Sequence, residues 1–98
     1  VLASQAFFRR IRERVPNVVI ENCSSGGHRI ETSMMALADL ASFSDAHEEK
    51  EIPVIAANLH RVILPAQSGI WAVLRSKDPD KRLAYSVAAT FLGTPCLS

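Results

Sequence analysis

Residues 22 to 29 read "NCSSGGHR" and hold the densest set of reactive types in the chain: a thiol, two serines, two glycines and a guanidinium in one turn. Cys23 and Arg29 are spaced as Cys-x5-Arg, the pattern of cysteine-dependent phosphatases, in which loop amides and the arginine hold phosphate while the thiolate attacks phosphorus. A buried strand before the loop and a helix after it would suit that chemistry, because amide donors and the helix dipole favour an anion and acidify a thiol. The neighbours suit it less. Asn22 stands where those enzymes carry histidine, and Ile30 where they carry a hydroxyl. A non-catalytic turn is the third reading: glycines allow positive φ, and Cys23 packs as a small apolar group.

A second group of residues follows at "SFSDAHEE", where Asp45 comes directly after a short apolar run containing Phe43. Taken alone, a carboxyl there reads first as a solvated loop group or an N-cap; its place after an apolar strand and beside an aromatic also suits acid/base work. Desolvation and a neighbouring negative charge would hold its proton near neutral pH. A retaining glycosidase needs such an acid about 5 to 5.5 Å from a nucleophilic carboxylate.

Taken together, "VPNVVIENCSSGGHRIE" and "SFSDAHEE" resemble the catalytic domain of the α-galactosidases of glycoside hydrolase family 36. The family pattern is a proline-led strand, Glu-x-Cys-x-Ser-Gly-Gly-x-Arg, then Ser-Asp-x-x-Asp; the resemblance is concentrated in residues 15 to 48. It implies a (β/α)8 barrel and retaining hydrolysis of terminal α-galactosides, with no metal and no organic cofactor. Asp45 matches the family's general acid/base, Cys23 and Gly26 match positions that touch sugar hydroxyls, and Arg29 matches an arginine that shapes the same pocket. His28, Glu31, Phe43 and Glu48 depart from the residues usual at their positions. The family's nucleophile, an aspartate in a Lys-x-Asp context, has no match and is expected upstream of Val1. On this reading the 98 residues are a partial catalytic domain, cut at both ends and inactive alone.

The elements that must position these groups are legible from periodicity. Phe7, Phe8, Ile11 and Val15 make the apolar stripe of a helix over 3–15 that ends before Pro16. "NVVIEN" reads as a strand buried on both faces of a parallel sheet. Its terminal Glu21 would then need a partner, with Arg29 the nearest candidate. A short helix carries Ile30, Met34 and Leu37, and a brief strand runs over 41–44. A third helix, from near Pro53 to before Pro65, carries Ile55, Leu59, Val62 and Ile63. "GIWAVL" is ambiguous between strand and loop. A last helix is expected to start with Asp78 as N-cap and Pro79 at its first position. It would bury Leu83, Val87 and Phe91, and stop at Gly93 before a final strand.

Alternating helices and strands with short loops imply an α/β fold with parallel strands. Ninety-eight residues are fewer than half of the roughly 250 that a (β/α)8 barrel takes; a small open sheet is the alternative.

Composition narrows the partners. A net charge of +1 offers no electrostatic footprint for nucleic acid or an anionic membrane. No run nears the roughly 18 to 20 apolar residues of a membrane span. The resemblance implies a carbohydrate partner, a terminal α-galactoside. Cys23 and Cys96 are expected to stay reduced, which favours a cytoplasmic setting. His28, His47 and His60 lack metal-ligand spacing, so no metal is expected. Glu48, Glu49 and Glu51 read as a solvated face, with a sugar contact open to Glu48. Trp71 divides between core packing and a platform for a sugar ring.

Overall fold

The computed structural model describes residues 2–23, 29–46, 48 and 50–98. The elements in chain order are α1 (Leu2–Arg14), β1 (Glu21–Cys23), α2 (Thr32–Met35), β2 (Leu40–Ser42), α3 (Glu51–Leu59), a 3-10 turn (Pro65–Gln67), β3 (Ser68–Ala72), α4 (Asp80–Thr90) and β4 (Thr94–Leu97). The strands form one sheet in the order β1-β2-β3-β4, and every neighbouring pair is parallel. A doubly wound sheet reverses its strand order at a switch point. These four strands do not reverse. The fold is α/β with parallel strands and alternating helices, as the periodicity implies.

The register divides the sheet into two faces, because strand residues alternate and parallel partners share a side. Ile20, Ala41, Phe43, Ile70 and Ala72 lie on the side of the core, joined there by Ile52, Ala56 and Leu59 of α3 and by Met35 and Ala38. Ile70 is fully buried, a position worth about 1.5–3 kcal/mol relative to exposure. Glu21, Cys23, Leu40, Ser42, Gly69, Trp71, Thr94 and Cys96 lie on the opposite face. A β-carbon on Gly69 would meet Leu40 Cγ at 3.4 Å and Cys96 Sγ at 3.5 Å, which fits their common side.

Polar side chains lock the joints. Arg12 of α1 reaches Asp39 at 2.6 Å and donates to the carbonyl of Leu37, while Asp39 also accepts the Ile20 amide at 2.8 Å. Donation by Arg12, then by the Ile20 amide, holds the Asp39 carboxyl below its usual pKa. Gln67 donates to the carbonyls of Met35 and Ala38 at 3.0 and 2.9 Å, tying the turn after α2 to the start of β3. Glu31 caps α2, accepting from the amides of Ser33 and Met34. Its pKa is lowered, first by the Ser33 hydroxyl.

Several expectations are corrected. β1 is not buried on both faces: Val19, Glu21 and Cys23 are exposed, because β1 is an edge strand and the core covers one face. Glu21 therefore needs no buried partner. "GIWAVL" resolves into β3. α3 begins at Glu51, before Pro53, and ends at Leu59, while Pro65 opens the 3-10 turn. Ile52 and Ala56 fill its buried face and Val62 is exposed. Pro79, not Asp78, is the N-cap of α4; Asp78 instead accepts the Arg75 amide and pairs with Arg82 at 3.5 Å. Phe7, Val15 and Phe91 are exposed, so the buried stripes of α1 and α4 are narrower than their periodicity suggests.

Candidate functional site

The C-terminal ends of all four parallel strands converge on one cleft of about 190 Å³. Cys23 closes β1 and Ser42 closes β2; Ser44 and Asp45 follow β2, Trp71 comes from β3, and Val73 follows it. Ser98, just after β4, completes the wall. The Ser44 hydroxyl accepts the Ala46 amide at 3.0 Å, a short local turn that shapes the backbone on which Asp45 is carried. Asp45 is exposed at the cleft. The burial that an acid/base role calls for is not supplied by the described residues.

Trp71 is half-buried, touches the core cluster and lines the cleft. Its indole N–H donates to the Ser42 hydroxyl at 3.1 Å across the β2–β3 pair.

Arg29 is exposed and lines a different and larger cavity, about 820 Å³, between α1 and α2, with Phe7, Phe8, Glu31 and Ser33. It is not among the residues around Cys23 and Asp45. Gly26 lies outside the described residues, as do His28, His47 and Glu49. Glu48 faces Arg82 at 3.3 Å and Arg75 at 3.7 Å, an arrangement that ties the segment before α3 to the loop ahead of α4. Its carboxylate thus has partners other than a sugar.

Asn22 is a residue whose part the sequence reading missed. It is buried, and its amide donates to the Arg29 carbonyl at 2.8 Å, fastening the far end of the loop to β1. A polar residue inside an otherwise apolar run, directly before a glycine-bearing loop, was the available signal.

Cys23 and Cys96 are both free. They sit on the first and fourth strands, and three inter-strand steps of about 4.8 Å put them roughly 14 Å apart, beyond disulfide reach. Burial, and then the charge of Glu21, pushes the Cys96 thiol pKa up. Among the described residues no group of three or more His, Cys, Asp or Glu side chains could hold a metal ion, and no helix is long and apolar enough to cross a membrane. In comparison with known proteins, no family model and no curated protein matches the chain.

Proposed function

We propose that these residues form part of the catalytic barrel of a retaining α-glycosidase acting on terminal α-galactosides. Asp45 is the general acid/base, and Cys23 belongs to the wall that meets the sugar; the sugar contact that the resemblance implies for Gly26 falls outside the described residues. The observation that carries this reading is the shared cleft: Cys23 and Asp45, distant in sequence, line one cavity at the C-terminal ends of parallel strands, where barrel enzymes keep their chemistry. The sequential strand order and single covered face add support. All-parallel sheets bury both faces, and closure into a barrel is the way a sheet wound in one direction does so.

In the reaction, a carboxylate from outside these residues attacks the anomeric carbon as the glycosidic C–O bond breaks. Asp45 gives its proton to the departing oxygen. Water then attacks the glycosyl-enzyme, Asp45 takes the water's proton, and the first carboxylate leaves with its electron pair. Substrate filling the cleft supplies the desolvation that Asp45 lacks when the cleft is open to water. The pocket-shaping role that the resemblance implies for Arg29 is kept as part of the proposal, although its side chain lines the cavity beside α1.

The phosphatase reading has less support, because it requires the Cys23 thiolate and the Arg29 guanidinium around one phosphate. They line separate cavities.

The test is the Asp45→Ala variant of the intact protein. Hydrolysis of an alkyl α-galactoside is expected to fall by about 10²–10⁴-fold, with partial rescue by azide and an activated leaving group. Full activity on the alkyl substrate would reject Asp45 as the acid/base.

A further inference from the structure

We infer that Trp71 is the platform on which the galactosyl ring stacks, and that the Ser42 hydroxyl fixes the orientation of that platform; this rests on the glycosidase reading above. Trp71 is the sole tryptophan of the 98 residues and, among the described residues, the one aromatic side chain lining the cleft that holds Asp45. Its position is determined from two directions. The residue touches the core cluster, and the N–H is committed to Ser42 at 3.1 Å. Ser42 is itself buried at 6% exposure, so the acceptor has little freedom to move.

An indole whose polar atom is already bonded offers a ligand only its apolar face. The carbohydrate surface that matches is the C–H patch at C3, C4 and C5 of a galactosyl ring, on the face opposite its axial C4 hydroxyl. Asp45 and Ser44 follow β2, the neighbouring strand, so a ring on the indole has a carboxyl and a hydroxyl at the same cleft. Packing alone accounts for the core contact of Trp71. It does not require the hydrogen bond to Ser42 or the place at the cleft.

The experiment is calorimetric titration of galactose into the intact protein, comparing wild type with Trp71→Phe, Trp71→Leu and Ser42→Ala, with thermal melts to verify folding. Trp71→Leu keeps an apolar side chain against the core but has no aromatic face. It is expected to weaken galactose binding about tenfold, the scale of one lost aromatic contact, while Trp71→Phe stays within about threefold of wild type. Equal weakening by Phe and Leu, or unchanged binding with Leu, would overturn the platform. If Trp71→Leu fails to fold, Ser42→Ala decides: releasing the indole N–H is expected to weaken galactose binding by about threefold, and unchanged binding overturns the inference. Hydrolysis by wild type and Asp45→Ala separates the two proposals. Asp45-dependent hydrolysis with unaltered binding in the Trp71 variants defeats the platform alone, whereas no Asp45-dependent hydrolysis and no galactose binding defeats both.

Discussion

The two faces of this sheet are made by alternate residues of the same strands, yet their composition differs. The core face carries Ile20, Ala41, Phe43, Ile70 and Ala72 with the buried Asn22 and Ser68 as its polar members, and the helices complete it with Ile52, Ala56 and Leu59. The other face carries Glu21, Cys23, Ser42, Gly69, Thr94 and Cys96, with Leu40 and Trp71 as its large apolar members. One face is spent on cohesion. The other keeps polar and small groups at positions where a strand would otherwise bury branched aliphatics, and its C-terminal margin opens into the cleft with Asp45. Substitutions on the two faces should therefore separate stability from function.

The largest effect on stability is expected from Ile70→Ala, which hollows the fully buried centre of β3. Urea unfolding should record a loss of about 2–5 kcal/mol, with galactose affinity retained under conditions where the variant is folded. Gly93→Ala comes next. Its β-carbon would collide with the Ser68 carbonyl and sit 2.9 Å from Ile70 Cδ1, so about 1–3 kcal/mol should be lost through overpacking where α4 turns into β4. A wild-type melting curve for Gly93→Ala would refute that close approach.

A smaller effect is expected from Asp39→Asn, which weakens the tie between α1 and β1. The pair is about one-third exposed on both sides, so its worth is roughly 0.2–1 kcal/mol after screening. Because the folded-state pKa of Asp39 is depressed, its stabilisation is fully present above the ordinary aspartate value and disappears as pH falls through the lower folded-state value. The wild-type advantage over Asp39→Asn should thus be constant near neutrality and vanish in acid; an advantage that grows on acidification would contradict the assignment.

The smallest stability effect belongs to the open face. Cys23→Ser is expected to change stability by no more than about 0.5 kcal/mol. With the intact protein, peptide mapping after iodoacetamide should show Cys23 alkylated before Cys96, since Cys23 is exposed and burial raises the Cys96 pKa. Galactose should slow labelling at Cys23. Faster labelling of Cys96 would invert the proposed accessibility of the two strands.

What was legible in the sequence was whatever depends on local pattern. The order of helices and strands, the parallel sheet and the starting region of α4 follow from periodicity and proline; the stop expected at Gly93 falls instead at Thr90, with Phe91 as C-cap. Cys23 and Asp45 were singled out from motifs, and both line the cleft. What was not legible depends on partners remote in the chain. Glu21 looked like a buried charge because "NVVIEN" is apolar; only its place on an edge strand leaves it exposed. Phe91 continued the α4 stripe in register, but the helix ends at Thr90 and the ring projects past the core. Gln67 carries no local signature, since its acceptors belong to another element, and the polar break at Asn22 does not name its acceptor, the Arg29 carbonyl. Trp71 has apolar neighbours in sequence, and its second environment appears only when β2 supplies Ser42 beside it.

The central claim, that this cleft works through Asp45 and not through the Cys23 thiol, is tested most directly by assaying intact wild type, Asp45→Ala and Cys23→Ser side by side on aryl α-galactoside and aryl phosphate. The account predicts galactoside hydrolysis by wild type, partial activity with Cys23→Ser, and with Asp45→Ala a loss that azide partly restores. Phosphate hydrolysis that survives Asp45→Ala and is abolished by Cys23→Ser would contradict it.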